Sequence, residues 1–257
     1  MIELSAVLYS ALVIGVCVTL LWLLSLKLRD ASIADIWWGP GFAVIAWTAS
    51  EAPLDANIRY GAILALMTLW GLRLGLHLMD RNGGKPEDHR YQAMRSKSRN
   101  FPLISLFQVF WLQGALQVLV ALPIFAIANS SEPLSWVDAL GLSLLFDGIL
   151  LEAVADLQLK RFKADPANAG KVMDRGVWGW SRHPNYFGNA LLWAGVGLVG
   201  VGAGAPLWAL LGPATMWFLL LRVSGVTMLE ATIVDRRPEY RSYIERVPSF
   251  FPRPPKK

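Results

Sequence analysis

The feature that most limits what this chain can fold into is a series of apolar runs, each about the length of a bilayer crossing. They lie at about 4–26, 33–50, 60–79, 102–128, 134–155, 186–201 and 206–221. In hydrocarbon a backbone must satisfy its own hydrogen bonds, so apolar runs of about 20 residues fold as helices. The sequence therefore predicts an all-α fold, a polytopic membrane bundle of seven transmembrane helices. Lys27 and Arg29 follow the first run, and Arg81, Lys85, Arg90, Arg95, Lys97 and Arg99 follow the third. Lys160, Arg161, Lys163, Lys171, Arg175 and Arg182 follow the fifth, and the rest follow the seventh. These alternate connections hold 22 of the 24 Lys and Arg, leaving Arg59 on the other side and Arg73 inside a run. Basic loops stay cytoplasmic, which predicts an N-terminus outside, a cytoplasmic C-terminus and an odd number of crossings.

At 257 residues, 54% hydrophobic and 17% charged, the chain is expected to form a single integral membrane domain over 1–257. The net charge of +5 does not imply nucleic acid, because the basic residues sit beside membrane runs, where topology and anionic headgroups account for them. Membrane lipids are the expected partners, and nothing calls for an obligate protein partner. The first run has the length of a signal peptide, but Met1-Ile2-Glu3 carries no basic stretch, so it is read as a helix of the mature protein. Cys17 is the only cysteine, which excludes a disulfide framework, and His77, His89 and His183 lack the spacing of zinc ligands. Two cytoplasmic loops, about 80–101 and 157–184, and a tail too Pro-rich to stay helical place any chemistry on the cytoplasmic face.

Ionisable groups inside membrane helices are costly unless they face a cavity or a partner. Glu152, Asp156, Lys160 and Lys163 are spaced 4, 4 and 3, which puts them on one helix face. They form either intrahelical salt bridges or a nucleotide cradle, with acids for a ribose or carboxamide and lysines for a phosphate. Trp70, Arg73, His77 and Arg81 share a face of the third run; Arg81 has the reach to snorkel, while Arg73 and His77 lie deeper. Asp35, near the start of the second run, either caps that helix or pairs with Arg29, or else stays protonated and donates a hydrogen bond to a substrate oxygen. Glu51, Asp55 and Arg59 read as solvated loop charges. The run Gly195-Val196-Gly197-Leu198-Val199-Gly200 matches G-x-G-x-x-G, but no strand precedes it, and helix packing through small residues, Gly200 and Gly204 included, explains it better.

The strongest local signal is Gly176-Val177-Trp178-Gly179-Trp180-Ser181-Arg182-His183-Pro184-Asn185-Tyr186-Phe187-Gly188-Asn189. Ser181 is placed to cap a helix whose first turn tolerates Pro184, and Arg182, Asn185, Tyr186 and Asn189 then form a polar stripe. The helix start, with Arg182 and His183 beside it, is a natural seat for phosphate.

This segment resembles the C-terminal signature of the membrane steroid and sterol reductases, in particular a bacterial steroid 5α-reductase-like branch. The tail from Leu229-Glu230 through Arg237-Pro238-Glu239-Tyr240-Arg241-Ser242-Tyr243-Ile244 to Val247-Pro248-Ser249-Phe250-Phe251-Pro252 is similar to the same family's ending, and Asp35-Ile36-Trp37-Trp38-Gly39 to its N-terminal half. The Arg-His-Pro core is shared with isoprenylcysteine carboxyl methyltransferases. The resemblance implies a bundle that takes NADPH from the cytosol, in a cofactor-binding half at about 134–257, and a lipid-like enone from the membrane. By position, Asp156, Lys160 and Lys163 match the family's cofactor-binding helix end, and Arg182, His183, Asn185 and Tyr186 its signature. Glu230 falls where sterol reductases have an acidic cofactor contact. Asn189 replaces the usual Asp or Glu after the signature glycine, and Trp70 stands in the place of a carbonyl-polarising tyrosine.

The expectation is an NADPH-dependent reductase of a conjugated carbon–carbon double bond in a steroid-, isoprenoid- or other lipid-like substrate. Its nicotinamide would pass Asn185 and Asn189, with Asp35 or Arg73 as catalytic groups near the substrate oxygen. The alternative is a methyltransferase using S-adenosylmethionine on a lipid or prenylated substrate, for which Lys160 and Lys163 would be topological charges only.

Overall fold

The computed structural model describes residues 2–50, 57–223, 230 and 239–254. Within them every regular element is helical. In chain order these are α1 (Leu4–Leu28), α2 (Ile33–Thr48), α3 (Ile58–Asn82), α4 (His89–Lys97), α5 (Phe101–Ser105), α6 (Leu112–Val120), α7 (Leu122–Ala128), α8 (Trp136–Ala164), α9 (Pro184–Gly202), α10 (Leu211–Phe218) and α11 (Tyr240–Arg246). A π-helical stretch at Leu106–Trp111 joins α5 to α6, and another at Leu219–Val223 extends α10. Among the described residues three stretches, Leu4–Leu28, Ile58–Asn82 and Phe101–Val120, are long and apolar enough to cross a membrane. The expected loop charges Glu51 and Asp55 and the tail segments 229 and 231–238 lie outside the described residues.

The expected fourth run, 102–128, is not one helix. Pro123 cannot donate a backbone hydrogen bond, and the chain breaks at Ala121 before α7 begins. The fifth run, by contrast, continues past the expected end at 155, so α8 carries Glu152, Asp156, Lys160 and Lys163 on one rod.

The chain divides into two compact units, residues 1–138 with 199–212, and residues 139–198 with 213–257. In the first unit, α2 packs on α3 where Gly39 and Gly71 meet: a Cβ on Gly71 would stand 2.5 Å from the Gly39 carbonyl oxygen. The charge Arg59, expected to be solvated, is 2% exposed. It pairs with Asp138 through Nε to Oδ1 (2.6 Å) and Nη2 to Oδ2 (3.0 Å), and donates further to Ser130 Oγ and the carbonyls of Glu132, Pro133 and Gly202. A guanidinium in apolar surroundings is tolerated only with such full partnering.

In the second unit α8 and α9 lie backbone to backbone. A Cβ on Gly148 would sit 2.4 Å from Leu192 N, one on Gly188 2.7 Å from Glu152 N, and one on Gly195 2.5 Å from Leu145 N. Gly195 therefore serves helix packing, whereas Gly204 lies beyond the helix in a turn at φ +72. No element holds Pro248 to Pro254, in keeping with their proline content.

Candidate functional site

Close approach of α8 and α9 brings two acids against two amides. Asn185 Nδ2 donates to Asp156 Oδ1 at 3.3 Å, and Asn189 Nδ2 donates to Glu152 Oε2 at 3.2 Å. Each pair of residues is spaced i, i+4 on its own helix, so the two contacts repeat one turn apart. Glu152 (4% exposed), Asp156 and Asn189 are buried, and Asn189 Oδ1 has no hydrogen-bond partner among the described residues. Lys160 and Lys163, about one and two turns beyond Asp156 along α8, are exposed.

The start of α9 is tied to the tail. Phe187 N–H donates to the His183 carbonyl, so His183 is the N-cap and Pro184 takes the first helical position, where its missing N–H is not needed. Ser181 Oγ accepts from His183 N–H at 3.1 Å and donates to the Phe250 carbonyl at 2.8 Å. Arg182 grips Glu230 bidentately, Nε to Oε1 at 2.7 Å and Nη2 to Oε2 at 2.9 Å, while Nη1 donates to the carbonyls of Ile244 and Val247. His183 Nε2 lies 2.9 Å from the same Glu230 Oε1, and the His183 ring stacks on Tyr186. Arg182 N–H donates to Pro248 O, Arg253 N–H to Trp180 O, and Tyr243 Oη–H to Trp178 O.

The expected stripe thus splits in two. Asn185 and Asn189 face α8, whereas Arg182 precedes the helix and turns to Glu230 and the tail. Burial alone would raise the Glu230 pKa, but hydrogen bonds from His183 and Arg182 outweigh it and hold the carboxyl down to about 2. Burial likewise opposes the charge on Arg182, yet the bond to Glu230 keeps its pKa above the ordinary value. Tyr240 is pushed up to about 12, by burial first and by Glu230 second.

A second constellation lies in the first unit. Arg90 Nη2 donates to Asp35 Oδ2 at 2.6 Å, and Tyr91 Oη–H donates to Asp35 Oδ1 at 2.7 Å. Asp35 therefore pairs with Arg90 rather than the expected Arg29, it caps no helix, and both of its oxygens act as acceptors. The 80–101 connection folds back onto the α1–α2 corner: Glu87 accepts from Ala31 N–H and from Arg95, and Asp88 N–H donates to Ser32 Oγ. Burial, then the Asp35 charge, raises the Tyr91 phenol far above its usual range, so it stays protonated. Sequence reasoning missed Arg90 and Tyr91, because a loop tyrosine beside an arginine carries no signal until the loop closes. Of the third-run face, Trp70 is fully buried, Arg73 and His77 are half-buried, and Arg81 is exposed with its Nε on Asn82.

Among the described residues no group of three or more His, Cys, Asp or Glu is arranged to hold a metal ion. An all-helical chain with helices apolar and long enough to cross a membrane, and with a buried polar constellation between two of its helices, is the class these observations define. The chain belongs to the family described as Protein of unknown function (DUF1295), which it matches over residues 21–247. It is similar to an uncharacterized protein of Schizosaccharomyces pombe, 29% identical over 226 residues that cover 77% of this chain. The matched region spans 64% of that relative's length. No solved structure matches the chain.

Proposed function

We propose that the chain is an NADPH-dependent membrane reductase of the steroid 5α-reductase-like kind. It would reduce a carbon–carbon double bond conjugated to a carbonyl in a steroid-, isoprenoid- or fatty-acyl-like molecule. The observation that carries this reading is the facing of Glu152 and Asp156 by Asn189 and Asn185, next along α9 to the Arg182–His183–Glu230 cluster. Buried acids and amides in a repeating array suit a ligand rich in amide and hydroxyl groups, and Asn189 Oδ1 is an acceptor still open to a donor. A nicotinamide carboxamide and a ribose both offer such donors.

When bound, NADPH would supply a hydride. The chain's own residues bind and orient. Lys160 and Lys163 take phosphate charge at the exposed end of α8, and Asn185, Asn189, Glu152 and Asp156 hold the uncharged polar groups. Arg182 and His183 fix Glu230 and with it the tail, so their contribution is to position. For the substrate oxygen Arg73 is the cationic candidate, since Asp35 accepts from both Arg90 and Tyr91 and the one hydroxyl proton of Tyr91 goes to Asp35. The chain would cross the membrane seven times with its C-terminus and nucleotide-binding residues at the cytoplasmic face, a threading supported by the alternating placement of 22 of 24 basic residues.

The experiment is NADPH consumption by membranes or purified protein supplied with lipid-like enones, compared with NADH. Enone-dependent oxidation of NADPH is expected, and Lys163→Glu is expected to weaken NADPH more than NADH if the lysine meets the 2′-phosphate. Equal losses with both nucleotides remove that role, and no enone-dependent turnover of either removes the reductase reading.

A further inference from the structure

We propose that the second unit carries a site for an anionic phospholipid, at a recess that none of the residues assigned to nucleotide binding lines. A recess of about 250 Å³ is lined by Leu151, Gly176, Val177, Trp180, Pro184 and Pro252. It is smaller than the roughly 300–1,000 Å³ of pockets that enclose a whole small molecule, and its wall is almost wholly apolar. That size and chemistry suit a stretch of acyl chain. Its aromatic wall is exposed: Trp180, which lines it, is 52% accessible, and Phe251, next in sequence to the lining Pro252, is 60% accessible. Exposed Trp and Phe around an apolar hollow mark an interface rather than an aqueous surface.

Charge says which lipid. Gly176 is preceded by Arg175 and Pro252 is followed by Arg253, and both arginines are exposed. Among the described residues neither guanidinium has a hydrogen bond or ion pair in the structure, unlike the neighbouring Arg182 and Arg246. The Arg253 N–H bond to Trp180 O fixes that arginine's backbone beside this lining residue. Gly176 holds a left-handed φ of +58, and Val177 N–H donates to Gln158 Oε1 at 3.1 Å, which ties the turn that follows Arg175 to α8. An apolar recess whose lining residues Gly176 and Pro252 each adjoin an exposed arginine complements an acyl chain below an anionic headgroup.

The test is binding of phosphatidylglycerol and phosphatidylcholine with identical acyl chains to delipidated purified protein, read by native mass spectrometry without nucleotide. Each arginine near an anionic headgroup contributes roughly fivefold, so an overall preference on the order of 25-fold for phosphatidylglycerol is expected. Arg175→Gln with Arg253→Gln, both at exposed positions, should abolish the preference while leaving weak binding of both lipids. Val177→Trp, which fills the recess, should weaken both lipids. Equal affinity of the native chain for the two lipids overturns the proposal, as does a preference that survives the double substitution or binding indifferent to Val177→Trp. These readouts are independent of whether NADPH binds.

Discussion

Glu230 ties Arg182 to His183, because one carboxylate takes both. Its folded pKa of about 2 lies below the ordinary 4.5, so the unfolded chain binds this proton more readily. The stabilisation is therefore full above pH 4.5 and is lost as pH falls from there toward 2. Thermal midpoints of the purified protein should drop more steeply across that acid window in the native chain than in Glu230→Gln; parallel curves would contradict the assignment. Arg182→Ala, which strands Glu230 and two carbonyls, should cost about 3–5 kcal/mol. Unfolding in denaturant checks it, and a loss below 1 kcal/mol would mean the grip is not formed. Single residues are also where the sequence was least informative. Arg59 read as a loop charge because Asp138, 79 positions away, becomes its partner only in the fold. Asp35 read as a protonated donor or a partner of Arg29 because Arg90 and Tyr91 reach it only when the 80–101 connection folds back.

At the scale of elements, the α8–α9 contact sets the site. Gly188→Ala would place a Cβ 2.7 Å from Glu152 N and 2.8 Å from the Gly148 carbonyl oxygen, backbone atoms that cannot turn aside. Overpacking of this kind costs about 1–3 kcal/mol and should also weaken nucleotide binding, because it separates Asn189 and Asn185 from their acids. Gly15→Ala on α1 is the control. Nothing lies within 4 Å of its Cβ, so it should be neutral or stabilising by up to about 1 kcal/mol through helix propensity. If both substitutions behave alike, the close approach is not what holds the pair. The elements themselves were largely legible. Apolar runs of bilayer length leave a backbone little choice but helix, and i, i+4 spacing put Glu152 and Asp156 on one face. The break at Ala121 had its sign in Pro123, outweighed by the length of the apolar run, and the π-helical stretches had no such sign.

For the whole molecule, a helical membrane fold is proposed to hold one soluble nucleotide. Threading is checked by cysteine labelling in sealed vesicles in a Cys17→Ser background: single cysteines at 97 and 171 should be accessible from the same, cytoplasmic side, and one at 132 from the other. Labelling of 97 and 132 from one side would overturn the seven-crossing arrangement. The central claim, that the residues between α8 and α9 hold NADPH, is tested most directly by equilibrium titration of the purified protein with NADPH and with S-adenosylmethionine. Saturable NADPH binding in the nanomolar-to-micromolar range, lost in Asn189→Leu and absent for S-adenosylmethionine, is the predicted result. Saturable S-adenosylmethionine binding without NADPH binding, or binding of neither, would contradict it.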